Sequence, residues 1–165
     1  MKKLLLAGAI FTSIFAQNLK TNDVFIGLSA GRTTTNSEHK TYGEFKIGEY
    51  FYDKNVYNIS NRIYISGLAT TSSEKQFGIA KANLDWIWTT IPYLKPFIGI
   101  DAGYLYYKDD SSKSTGVYGF KLGTLIYLGD TLELEAGINV DKATQNSDFW
   151  TSNLKKVYGG INFSF

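Results

Sequence analysis

The sequence predicts an all-β chain: eight antiparallel strands running up and down, closed into a transmembrane β-barrel whose apolar face points outward. Three observations carry that expectation. Eight runs of alternating polarity fill the chain, at 23–31, 41–52, 56–69, 76–88, 93–107, 115–128, 131–142 and 154–165, and alternation at every second position marks a strand with two unlike faces. Twelve Tyr and eleven Phe stand against one Met, a bias toward β-structure. Helical periodicity is weak throughout, and beyond the N-terminal segment no apolar stretch is long enough for a membrane-spanning helix.

The N-terminal segment, "MKKLLLAGAIFTSIFA", has two lysines and then a largely apolar run closing on Ala16. That is the build of a secretory signal peptide, and it is too short for a spanning helix. Residues 1–16 are therefore expected to be a cleaved signal and 17–165 the barrel domain, although Ile14 stands where a small residue is the rule. Removing Lys2 and Lys3 takes Lys+Arg from 17 to 15, against 15 Asp+Glu, so the exported chain is formally neutral. The basicity of the whole sequence belongs to targeting and lends nothing to nucleic-acid binding. With no cysteine there is neither a disulfide framework nor a lipid-attachment thiol.

Taken in order, 23–31 opens the series and ends in the polar cluster "RTTTNSEHK", read as a first long loop. In 41–52, Phe45, Ile47 and Phe51 share one face, Glu44 and Lys46 the other. Glu49 falls on the apolar face, which requires either a place near the membrane interface or a bulge at Gly48. In 56–69, Arg62 and Tyr64 oppose Ile59, Asn61 and Ile63, Asn61 being a milder misfit. The run 76–88 sets Ala80, Ala82, Leu84, Trp86 and Trp88 against Lys81, Asn83 and Asp85. In 93–107, Ile98, Ile100, Ala102, Tyr104 and Tyr106 oppose Lys95, Gly99 and Asp101. Lys121 lies on the polar face of 115–128, with Gly119 and Gly123. The run 131–142 places Leu132, Leu134, Ala136, Ile138 and Val140 opposite Glu133, Glu135, Gly137, Asn139 and Asp141. The last run, 154–165, places Val157, Ile161, Phe163 and Phe165 opposite Lys156, Tyr158, Asn162 and Ser164.

Links after the odd-numbered runs read as long and polar, those after the even-numbered runs as tight, which is the plan of a barrel with loops at one end and turns at the other. The polar faces carry six cations (Lys46, Arg62, Lys81, Lys95, Lys121, Lys156) and five acids (Glu44, Asp85, Asp101, Glu133, Glu135). A soluble barrel with its apolar face inside would present these to water, yet their near balance and the small glycines among them fit a narrow interior where charges need partners. Glu133 and Glu135 are expected to pair with Lys121 and Lys156 on neighbouring strands. Aromatics near the strand ends (Phe51, Tyr57, Trp86, Trp88 and Phe165 at the turn end; Tyr104, Tyr106 and Tyr118 at the loop end) read as interfacial girdles.

The closing "YGGINFSF" has Tyr158, Gly160, Phe163 and Phe165 in the order of the C-terminal signal by which outer-membrane barrels are recognised for assembly. With the signal peptide and eight alternating runs, the chain resembles the small eight-stranded outer-membrane barrels of the OmpA/OmpX type. That resemblance implies a monomer in the outer membrane of a Gram-negative cell, in contact with outer-membrane lipids and lipopolysaccharide, with Phe165 read by the barrel assembly machinery. It implies a structural or surface-interaction role and no cofactor.

Chemistry is sparse. A lone histidine, His39, in the first loop excludes the usual multi-His or Cys zinc sites, and no nucleophile elbow, phosphate loop or calcium loop is present. Two other functions are weighed. A lipid A-modifying enzyme would draw on His39, Glu38, Asp109, Asp110, Ser111 and Ser112 at the loop end, but no motif assigns them catalytic roles. A narrow porin-like channel conflicts with inward Tyr50, Tyr64, Phe97, Tyr127 and Tyr158, which should fill an eight-stranded interior.

Overall fold

The computed structural model describes residues 24–35, 38–52, 58–70, 76–91, 93–107, 114–129, 131–144 and 154–165. The signal segment, Tyr57, and Asp109 to Ser112 lie outside the described residues. Eight strands follow one another: β1 (Val24–Thr35), β2 (Glu38–Tyr52), β3 (Ile59–Thr70), β4 (Phe77–Trp88), β5 (Leu94–Tyr107), β6 (Ser114–Tyr127), β7 (Leu132–Ala143) and β8 (Leu154–Ser164). Each pairs antiparallel with the next, and β8 returns to β1, so the sheet is a closed up-and-down barrel. At the seam, the Phe165 N–H donates to the Val24 carbonyl at 2.9 Å and the Val24 N–H to the Phe165 carbonyl at 3.2 Å. Closure leaves no strand edge unpaired, the condition for β-structure in a hydrocarbon medium.

Alternation decides which way each side chain points. Leu28, Phe45, Ile65, Ile100, Leu122, Ile138, Val157 and Phe163 are all exposed on the outer wall. Arg62, Asp85, Lys46 and Glu135 are sealed inside. Polarity is therefore inverted relative to a water-soluble barrel. Each aliphatic or aromatic side chain of that wall gains roughly 1.5–3 kcal/mol on leaving water, so the wall requires an apolar cover.

Two expectations need correction, and one open alternative is decided. The cluster at 32–40 is not a loop: β1 and β2 continue through it, with Thr33 opposite Lys40 and Thr35 opposite Glu38. The β-branched threonines favour the extended backbone and a cross-strand partner more than their polarity favours a loop. His39 consequently sits in β2, on the exposed wall, its Nδ1 2.9 Å from Thr34 Oγ1. The regular alternation of long and short links is also lost. Residues 36–37, 71–76, 108–113 and 144–153 join strands at the loop end, and 53–58, 89–93 and 128–131 at the turn end, so only the last loop is long. At the turn end, Asn58 and Tyr93 adopt left-handed backbone, with φ of 62° and 67°. Asn tolerates that region readily; an aromatic there is uncommon.

Finally, no bulge interrupts β2 at Gly48: the register runs unbroken through Gly48 opposite Phe25 and Tyr64, then Glu49 opposite Val24 and Ile63. Glu49 stays on the outer wall, level with the first residue of β1 at the turn end. The interface explanation for its charge therefore stands.

Candidate functional site

The interior holds the chemistry of this chain, and it is layered. At the loop end Tyr42, Phe77, Ile79, Leu105, Val117 and Leu154 form an apolar cluster. At the turn end Phe25, Tyr50, Ile87, Phe97 and Leu125 form another. Between these two seals lies a continuous layer of buried charge with two hubs.

The first hub is Arg62 on β3. Its Nε and Nη2 both donate to Asp85 Oδ2, at 3.0 and 2.6 Å, and its Nη1 donates to Glu135 Oε2 at 3.0 Å. Lys46 Nζ reaches the other Glu135 oxygen at 2.9 Å, and Lys121 Nζ lies 3.0 Å from Asp85 Oδ1. Tyr158 Oη and Asn162 Nδ2 complete the hydrogen bonds to Glu135, at 3.1 and 3.0 Å. Rings of Phe25, Tyr64 and Phe97 surround the guanidinium at 4.9 to 5.3 Å, an arrangement that favours a planar cation out of water.

The second hub is Lys81 on β4. Its Nζ contacts Asp101 Oδ1 at 2.7 Å and Asp141 Oδ1 at 2.6 Å. Lys156 holds the second Asp141 oxygen at 2.8 Å, and Asn139 donates to Asp101 at 2.6 Å. Lys121 also donates to Asn83 Oδ1 at 2.8 Å, and Asn83 Nδ2 reaches the Lys81 carbonyl at 3.5 Å, which links the two hubs. Burying one such charge alone costs several kcal/mol, so the layer holds only as a mutually paired set.

Glycines make these pairs possible. Asp85, Gly99 and Lys121 lie side by side on β4, β5 and β6, and Asp101, Gly119 and Asp141 do so on β5, β6 and β7. A Cβ on Gly99 would strike Asp85 Oδ1 and come within 2.8 Å of Lys121 Cε. One on Gly119 would strike Asp141 Oδ1. The charged side chains reach across a whole strand because the strand between them presents no side chain.

This geometry revises the expected partners. Glu135 pairs with Lys46 and Arg62 from across the barrel, while Lys121 and Lys156 go to Asp85 and Asp141. Glu133 makes no ion pair among the described residues; it accepts from Tyr50 Oη at 2.5 Å. Lys95 is half-buried with its ammonium over the Tyr127 ring at 3.5 Å, and Glu44 is half-buried, accepting from Ser29 Oγ at 3.1 Å. Asp141, which shares their face but is missing from the charge set drawn from the sequence, is the acid on which two lysines converge. On β8, Tyr158 points inward, Gly160 abuts Leu28 and Ser29 of β1, and Phe163 and Phe165 are exposed on the wall.

Among the charged side chains lies a cavity of about 10 Å³ lined by Tyr42, Glu44, Lys46, Lys81, Lys121 and Lys156, among others. That is room for about one water molecule. Among the described residues no group of three His, Asp or Glu could hold a metal ion.

A closed eight-stranded barrel with an apolar wall and a paired, charged interior defines the architectural class of small transmembrane barrels. Solved structures agree on the fold. Neisserial surface protein A matches with a TM-score of 0.60 at 10% identity, over 87% of this chain and 97% of that one. The attachment invasion locus protein Ail of Yersinia pestis matches at 0.57 and 11%, over 87% and 97%. A major outer membrane protein from Thermus thermophilus matches at 0.57 and 12%, over 88% and 100%. The sequence matches no family profile and no curated protein.

Proposed function

We propose that this chain is an integral outer-membrane barrel with a structural or surface-interaction role, its interior closed by its own side chains. The observation that carries the reading is the inverted polarity: an apolar wall around a sealed layer of ion pairs suits lipid outside and no bulk water inside. The fold shared with outer-membrane proteins of several bacteria and the signal-like residues 1–16 support the outer membrane as its location, contacting phospholipid and lipopolysaccharide as a monomer. A non-enzymatic role is favoured by His39, which faces out from a strand with Thr34 as its contact.

Expressed from its full sequence, the protein is expected in the outer-membrane fraction, migrating differently on gels before and after boiling. In planar bilayers it should give no stable unitary conductance, because two apolar seals bracket the charge layer. Discrete, reproducible channel steps would overturn the closed-interior reading.

The row Tyr158, Gly160, Phe163 and Phe165 supports recognition of β8 by the barrel assembly machinery. Phe165→Ser removes one exposed ring at the wall's rim, at most about 1.5–3 kcal/mol of apolar burial. It is expected to lower the folded amount in cells while refolding into detergent nearly normally. Normal assembly in cells with an early melt in detergent would reduce Phe165 to a packing element.

A further inference from the structure

The outer wall is almost free of charge, and the exceptions are not scattered. Among the described strand residues facing outward, the charged ones are Glu49 at the turn end and Arg32, Lys142 and Lys155 at the loop end. The three cations lie on β1, β7 and β8, which are adjacent across the seam. Lys155 stands directly opposite Val140 of β7 and Thr34 of β1. Lys142 and Arg32 are each one outward position along from those partners, so each is a diagonal neighbour of Lys155. Such neighbours are about 7–8 Å apart, within reach of long side chains. All three are exposed, and none makes an ion pair among the described residues. Three adjacent like charges, with no acid beside them among the described residues, repel one another unless an anion joins them.

A second feature adjoins them. On the same wall, Ala102, Tyr104, Gly116, Tyr118 and Thr144 line an open groove of about 640 Å³. Its Tyr118 stands directly opposite Lys142. Thr144 leans over Gly116, its Oγ1 donating to the Gly116 carbonyl at 3.1 Å, and the exposed rings of Tyr104 and Tyr118 give the groove aromatic flanks against which an acyl chain can lie.

We infer that Arg32, Lys142 and Lys155 form a site on the outer wall for the phosphates of an outer-leaflet glycolipid, with the groove holding one of its acyl chains. The inference rests on the outer-membrane reading above, which puts the loop end in the outer leaflet. Three cations spread over three strands offer contacts to more than one phosphate and suit a headgroup bearing two. Charge and groove together select a phosphorylated lipid over a soluble anion, which would have no use for the groove.

The test uses the protein purified from membranes and exchanged into phosphatidylcholine nanodiscs. These carry diphosphorylated lipid A, its dephosphorylated form, or phosphatidylglycerol, and retained lipid is counted by native mass spectrometry. The wild type should retain diphosphorylated lipid A about tenfold better than either alternative, given the ordinary worth of cations near an anionic lipid surface. Arg32→Gln/Lys142→Gln/Lys155→Gln should lose that preference, the single Lys155→Gln should lose part of it, and Glu49→Gln should keep it. The single variant decides the matter if the triple variant does not fold. Preference retained without the cations, or phosphatidylglycerol held equally well, would overturn the assignment. Heat-dependent gel migration and membrane fractionation of the same preparations report separately on the outer-membrane reading.

Discussion

Replacing Arg62 with methionine is expected to cost the barrel about 3–5 kcal/mol, the usual penalty for removing one member of a buried ionic set. The guanidinium is the only group that touches both Asp85 and Glu135 among the described contacts, and all three are out of reach of solvent. Without it, Lys46 and Lys121 each still hold one oxygen of one acid, which places the loss toward the lower end of that range. The measurement is the urea midpoint in detergent micelles, followed by tryptophan fluorescence. Arg62→Met/Asp85→Asn should recover none of the loss, because Asp85 is the acid that pairs Lys121 and its removal leaves that buried ammonium without an ion pair; neighbouring sites in one network are not additive. Lys95→Met, whose ammonium rests half-buried over Tyr127, should change stability by no more than about 1 kcal/mol. An unchanged midpoint for Arg62→Met would mean that the interior is hydrated enough to solvate both acids.

The second large effect is expected from a residue with no side chain. Gly119→Val would push its methyls into the space where Asp101 and Asp141 converge on Lys81. The second hub would be forced apart, and the Val140 carbonyl, 3.0 Å from the added Cβ, leaves no retreat toward the strand. Overpacking and a broken ion pair add, so the variant should fail to give the compact, heat-modifiable form or should lose more than about 3 kcal/mol. Gly67→Val is the matched control. Gly67 faces outward, and a Cβ there meets nothing within 4 Å. It should fold as well as the wild type, with a gain in β-propensity and lipid contact. Equal behaviour of the two variants would show that the inward glycines are incidental.

The contrast between those glycines also shows what could be read from the sequence. Which way each residue faces was legible, because a strand's side chains alternate and one misplaced residue would turn a whole row around. The inward positions of Glu133, Lys81 and Tyr158, and the outward Tyr104 and Val157, follow from that rule alone. Who pairs with whom was not legible. Ion pairs such as Lys46 with Glu135 cross the barrel from β2 to β7, and pairs such as Lys121 with Asp85 vault over Gly99. Both depend on register between strands far apart in sequence, which period-two patterning leaves open. Asp141 illustrates the limit: its face was evident, yet its rank as a hub acid appears only when Gly119 is seen to clear its path to Lys81. Composition misled at residues 32–40, where threonine-rich polarity resembles a loop but β-branched side chains sustain a hairpin. The cation row on the outer wall was hidden for the same reason. Arg32 fell within that supposed loop, and Lys142 and Lys155 become its neighbours only through pairing across the seam.

That seam carries a consequence for how the molecule can come into being. Val24 and Phe165 are hydrogen-bonded neighbours, so the contact that completes the cylinder joins the two most distant described points of the chain. Until β8 docks, β1 and β7 each present a row of bare amides and carbonyls, which a hydrocarbon surrounding does not forgive. A seven-eighths barrel is thus a far poorer resident of the bilayer than the finished one. Insertion and ring closure are bound into one late, cooperative event of high contact order, with a correspondingly large entropy of loop closure. The chain cannot settle into lipid strand by strand in the order it was made. Its strands are expected to enter lipid together, as the ends meet.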